Sequence, residues 1–239
     1  MLTKRRHSIW PEEIWTGRHL ITIVSSAVLI SALFFLSAFI LKRYYTDEVF
    51  LLAFVVSIGS VIALSVPTIF IALKNEIPMN KTGFRFSGWG WIFGAGALGV
   101  AVLVFGGLAS GFWSEALSLE SESLAELFEK EGGDRMWLNI LYFKLVVALL
   151  IPVAEEIFFR GVIFRYIRQR KGFFISAGLS SLVFALAHFS LAALPYLFLL
   201  GFACAFAFER SRSLLPAIVI HFVNNNMIVN LYILSTFYN

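Results

Sequence analysis

Three short patterns of polar residues interrupt otherwise apolar stretches of this chain, and their residue types are those of acid–base chemistry. Glu155-Glu156 is followed by Arg160, Phe184 is followed four residues later by His188, and His221 is followed four residues later by Asn225. Ionisable groups set in runs long enough to cross a bilayer are costly and by default mark function. On helices, Glu156 and Arg160 stand one turn apart and can pair, and His221 and Asn225 project from one face in the same way. Glu155 is rotated about 100° from Glu156 and has no local counter-ion, which suits a general acid or base. Arg160 neutralises only one carboxylate, so packing alone does not account for the adjacent pair. A single buried histidine is more often a hydrogen-bonded packing group than a catalyst. The joint set of a carboxylate, two imidazoles and an amide is what points to chemistry.

Two His and a Glu with an open position also form a recognised catalytic zinc set, whose ligands would be Glu155, His188 and His221. No HExxH or comparably dense spacing is present, and the three residues come from different helices. The expectation is therefore a site without metal or other cofactor, with zinc as the alternative. Cys204, the only cysteine, permits no intrachain disulfide and reads as a small packing residue. Lys144 reads as a snorkelling or structurally paired residue, and Glu209, beside Arg210, as a solvated helix end.

The elements that must position these groups are transmembrane. Hydrophobic residues make up 59% of the 239 and charged residues only 14%, about half of what a soluble domain carries. The first apolar run, Leu20–Leu41, has 22 uncharged residues, too long for a signal core and right for a span. Val49–Leu73 follows, then Trp89–Trp113, whose glycines include Gly90/Gly94 and Gly107/Gly111 at the spacing of close helix packing. A fourth span starts at Trp137. Phe173–Phe208, 36 residues without Lys, Arg, Asp or Glu, is long enough for two short crossings with a turn near Ser190–Pro195. The last runs from about Leu214 to Tyr232. The expected fold is an all-α polytopic membrane protein, a bundle of about seven transmembrane helices with its site in the C-terminal four.

Charge placement orients the bundle. Lys and Arg in alternate connections number 14 against 4, which puts the N-terminus in the cytoplasm and the C-terminus outside, in a multi-pass protein of the cell membrane. Residues 1–19 form a basic cytoplasmic segment, and Met1–Arg18 with Trp10 and Trp15 is expected to lie against the anionic inner leaflet. Residues 20–136 hold the first three spans and an acidic outer loop, Ser114–Met136, expected to contain a short amphipathic surface helix. Residues 137–239 form the core that carries the three polar patterns. Counted along their helices from the cytoplasmic end, Glu155, His188, His221 and Asn225 agree in depth to about a third of the bilayer thickness.

The ordered patterns, on separate apolar helices between roughly Trp137 and Tyr232, resemble the EExxxR, FxxxH and HxxxN motifs of the CAAX protease and bacteriocin-processing (CPBP or Abi) family. The resemblance implies an intramembrane endopeptidase of the Ras-converting type. Glu155 with His188 would activate water, His221 and Asn225 would form the oxyanion hole, and Glu156 with Arg160 would hold the site. Asn224 and Asn226 flank Asn225, so the amide could be any of the three. The implied partners are membrane lipids and a membrane-associated peptide or protein, lipidated or not, with no nucleic acid. Two other functions compete: a non-catalytic bacteriocin-immunity or sensor-regulating membrane protein of the same fold, and a proton-relaying transporter. The intact motif set argues against the first, and the lack of repeats or of further polar residues in other spans argues against the second.

Overall fold

The structure is a computed structural model that describes residues 13–44, 49–119 and 136–238. The chain is an all-α polytopic membrane protein. Among the described residues the helices are α1 (Gly17–Lys42), α2 (Val49–Lys74), a single turn α3 (Met79–Thr82), α4 (Trp89–Ala116), α5 (Trp137–Arg168), α6 (Phe173–Leu186), α7 (Leu194–Ser211) and α8 (Leu214–Tyr238). Six of them, all but α3 and α6, are long and apolar enough to cross a membrane. The single uncharged run Phe173–Phe208 splits where expected: Pro195 opens α7 after a bent connection. Its first half, α6, has only 14 residues, or about 21 Å of helix. That falls short of a ~30 Å hydrocarbon core.

The helices end where their sequences require it. Thr16 caps α1, its hydroxyl accepting from the His19 N–H at 3.2 Å. Arg212 closes α7 in a left-handed conformation, with φ 54°. α5 is unusual inside. Phe143–Leu150 and Phe159–Phe164 are wound as π-helix, on either side of the ordinary helical segment Ile151–Phe158 that carries both glutamates. Such stretches are rare and are frequent at functional sites.

Lipid tails are as apolar as leucine, so small residues that let backbones approach hold such a bundle together. Gly99 of α4 faces Val223 of α8, where an added Cβ would lie 3.1 Å from the valine Cβ and 3.1 Å from the Ile220 carbonyl oxygen. Gly106 faces Tyr196, and Gly201 of α7 faces Ser181 of α6, at 2.6 and 2.9 Å by the same measure. These, and not the expected pairs, are the close contacts of α4 and α7. Gly90, Gly94, Gly107 and Gly111 have nothing within 4 Å of an added Cβ, because their spacing sets a face but does not say which way it points.

Two further expectations are corrected. Trp15 does not lie on the leaflet: it is fully buried, and its indole N–H donates to the Gly161 carbonyl at 2.6 Å inside the second π-helical stretch. A tryptophan placed at an interface by habit has here found both an apolar pocket and a buried acceptor. Glu209 is buried rather than solvated and accepts from Arg168 at 2.9 Å, a partner 41 residues away that its local sequence does not reveal. Trp10 and the acidic segment 120–135 lie outside the described residues.

Candidate active site

Glu156 is wholly buried, and its Oε1 takes two partners. Arg160 Nη1 donates from one turn along α5 at 2.8 Å, as the i,i+4 spacing predicts. His221 Nδ1, from α8, lies 2.9 Å away. Arg160 is closed in from other sides: Nη2 donates to the Gly201 carbonyl at 2.9 Å, and the guanidinium lies 4.8 Å from the Phe184 ring centroid. Two opposite charges removed from water persist only when paired and hydrogen-bonded in this way.

Glu155 points elsewhere, toward the two imidazoles. Its Oε2 lies 3.4 Å from His221 Nε2 and its Oε1 lies 3.9 Å from His188 Nε2. His188 is not within α6 but two residues past its end, and its Nδ1 lies 2.8 Å from the Phe184 carbonyl oxygen. A carbonyl can only accept, so Nδ1–H donates to it and Nε2 is the nitrogen that faces Glu155. Glu156 Oε1, which accepts from Arg160, accepts from His221 Nδ1–H likewise and leaves Nε2 toward Glu155. Phe184 thus joins the set: its ring packs edge-on against His188 and His221 at 4.7 and 5.5 Å and under Arg160. It stood in the second pattern without a role, since an aromatic in an apolar span gives no signal by itself.

The three asparagines of α8 separate cleanly. Asn224, fully buried, donates to the Gly99 and Ile220 carbonyls at 2.9 and 2.8 Å and accepts from the Tyr196 hydroxyl at 2.9 Å, tying α8 to α4 and α7. Asn226 accepts from Lys144 at 2.8 Å, and Asn230 also accepts from Lys144, which is therefore a paired residue as one of its two readings expected. Asn225 faces the glutamate side, and its Nδ2 donates to the Val147 carbonyl at 3.0 Å. The local winding explains that acceptor. Ile151 N–H goes to Val146, and the next donor in an i→i+5 ladder would be Pro152, which has no N–H. Val147 is left without a backbone donor, and Asn225 supplies one.

Glu155, His188, His221 and Asn225 all line one cavity of about 360 Å³, within the range of ligand pockets. Tyr196 and Leu200 of α7 contribute to its wall, and so do Ser57 and Ser60 of α2. The cavity wall therefore reaches beyond the C-terminal four helices, which carry Glu155, His188, His221 and Asn225. Side-chain exposure falls from 31% at His188 through 13% at Glu155 to 2% at His221, so the cavity is most open on the His188 side. Glu155, His188 and His221 do not stand as a metal-holding group, and no set of three or more His, Cys, Asp or Glu among the described residues does.

A family model described as type II CAAX prenyl endopeptidase Rce1-like matches residues 137–227, a stretch that holds Glu155, Glu156, Arg160, His188, His221 and Asn225. The chain is 31% identical over 161 residues to an uncharacterized 24.3 kDa protein of Escherichia coli, covering 64% of this chain and 69% of that one. It is 33% identical over 103 residues to the membrane-embedded CAAX protease MroQ of Staphylococcus aureus, covering 41% of this chain and 42% of that protein. With the UPF0177 protein YxdF of Lactococcus lactis it shares 29% identity over 123 residues, 50% of this chain and 67% of the other. No solved structure matches the chain.

Proposed function

We propose that this chain, which belongs to the Rce1-like family of type II CAAX prenyl endopeptidases, is an intramembrane endopeptidase that hydrolyses a peptide bond with water activated by Glu155. The observation that carries the proposal is the convergence of Glu155 with Nε2 of His188 at a cavity wall. Their 3.9 Å separation is too long for a direct hydrogen bond and suits a bridging water. That water would donate one hydrogen to Glu155 Oε1 and the other to His188 Nε2, leaving an oxygen lone pair free to attack. As the oxygen bonds to the scissile carbonyl carbon, Glu155 takes the proton and later delivers it to the departing amine. The products are a carboxylic acid and an amine, with no other reactant required.

Asn225 is a donor to the developing oxyanion, and His221 joins it through an Nε2–H shared between Glu155 Oε2 and the oxyanion. Two acceptor atoms cannot rest against each other unprotonated, so one proton lies between Glu155 Oε2 and His221 Nε2. With Glu156 and Arg160 cancelling, that proton leaves the cluster neutral, which a low-dielectric setting favours. Asn225 spends one amide hydrogen on Val147 and keeps the other for the cavity.

The substrate is a membrane-associated peptide or protein, lipidated or not, reached from within or beside the bilayer. The chain crosses the cell membrane seven times with its N-terminus in the cytoplasm, α6 counting as a short crossing. Membrane peptides from cells producing the wild type and Glu155→Gln are to be compared by mass spectrometry. Peptides with new termini should appear with the wild type alone; indistinguishable peptide sets would refute the proposal.

A further inference from the structure

Away from the cavity, α4 and α7 leave an open apolar groove of about 440 Å³, lined by Gly90, Trp91, Gly94, Leu98 and Phe206. The groove exists because two glycines on α4 carry no side chain there: nothing lies within 4 Å of a Cβ added to either. It runs from the first turn of α4 to Leu98, about 12 Å of helix. An acyl chain fits such a channel, and water does not favour it.

The mouth of the groove is cationic. Arg210, exposed at the end of α7, holds its guanidinium 5.4 Å from the centroid of Phe206, one wall of the groove. The connection before α4 and the one after α7 meet at this end: Leu214 N–H donates to the Gly83 carbonyl at 2.9 Å, and the Ser213 hydroxyl donates to the Arg85 carbonyl. Arg85 and Arg212, both exposed, therefore belong to the same end as Arg210. Among the described residues, none of the three arginines has a carboxylate partner. Beside them Phe86, Trp89 and Phe93 form an exposed aromatic row, 5.5 and 6.3 Å between successive rings. Aromatics of this kind settle at the headgroup level.

We infer that this end of α4 and α7 is a binding site for one anionic phospholipid, its acyl chain in the Gly90/Gly94 groove and its phosphate on Arg210 and its neighbours. Charge complementarity selects the occupant. Guanidinium forks match phosphate oxygens, whereas a zwitterionic headgroup would bring its own cation against three arginines. The site is separate from the catalytic cavity and stands whether or not the chain is a peptidase.

Native mass spectrometry of the purified full chain in detergent tests this, with phosphatidylglycerol and phosphatidylcholine of identical acyl chains added at equal concentration. Phosphatidylglycerol should be retained several-fold more than phosphatidylcholine, as a single adduct. Gly94→Leu, which fills the groove and leaves every charge in place, and Arg210→Gln should each reduce that retention several-fold. Arg43→Gln, at the end of α1, should leave it unchanged. Equal retention of the two lipids, or wild-type retention by both Gly94→Leu and Arg210→Gln, would overturn the inference. Should Gly94→Leu fail to fold, Phe206→Ala removes the opposite wall and is read in the same way.

Discussion

Glu156 and His221 are joined side chain to side chain, 2.9 Å from Oε1 to Nδ1, across 65 residues of sequence. The carboxylate that pairs with Arg160 is thus also the group that aims His221 at Glu155. Structural and chemical roles meet in one oxygen atom.

Glu156→Gln should consequently lose both stability and turnover. Breaking a buried ion pair by removing one partner typically costs ~3–5 kcal/mol, because the surviving charge keeps its desolvation penalty. Adding Arg160→Met removes the stranded cation and should restore part of the melting temperature in detergent, but not full cleavage, since a neutral amide oxygen holds His221 less firmly than the carboxylate. Additive thermal losses in the double-mutant cycle over 156 and 160 would contradict the pairing.

Glu155→Gln separates the other way. The polar neighbour of Glu155 Oε2 is His221 Nε2, 3.4 Å away, a long contact on which little stability hangs. Cleavage should fall by about 10²–10⁴-fold, the usual consequence of losing a general base, with the melting temperature near that of the wild type. Turnover close to wild type in the purified variant would remove Glu155 from the mechanism.

Neighbouring asparagines should give opposite phenotypes. Asn224→Ala deletes three buried hydrogen bonds and strands their partners, at roughly 1–3 kcal/mol for each unsatisfied group; it should melt early. Asn225→Ala should lower turnover by about 10²–10³-fold, as loss of an oxyanion donor does, with a smaller thermal penalty from the uncapped Val147 carbonyl. Thermal melts run beside peptide cleavage distinguish the two.

Cleavage should persist under strong chelation. The three candidate ligands do not stand as a metal-holding group, and the proposed proton transfers need none. Loss of activity with EDTA or phenanthroline, restored by Zn²⁺ together with stoichiometric bound metal, would reverse this expectation.

The residues that meet at the cavity were legible because charge is so scarce in the spans that Glu155, His188 and His221 stand out against apolar neighbours. The i,i+4 rule also gave Glu156 and Arg160 directly. What escaped were partners chosen by tertiary structure. Nothing near Glu209 announces Arg168, nothing near Glu156 announces His221, and a serine on α2 looks the same whether it faces lipid or Glu155. Glycine spacing on α4 gave a periodicity without a direction, and Gly99 and Gly106, outside the expected pairs, proved to be the ones in contact. Trp15 was misplaced because an indole serves equally well at an interface and in a buried pocket with an acceptor.

The two π-helical stretches of α5 have a consequence for length variation. An i→i+5 ladder holds one residue more than an α-helix needs to make the same connection, so either stretch can lose a residue and close into ordinary helix without a break. Because the wider turn takes up the extra residue, the segments on either side keep nearly the same facing when it is lost. A residue lost from Phe143–Leu150 or Phe159–Phe164 would therefore leave the glutamates on their present faces and the Arg168–Glu209 pair within reach. A residue lost from the ordinary turns of Ile151–Phe158 would instead rotate everything beyond it by about 100°. The two stretches are thus the places where α5 tolerates a change of length without changing which face it presents.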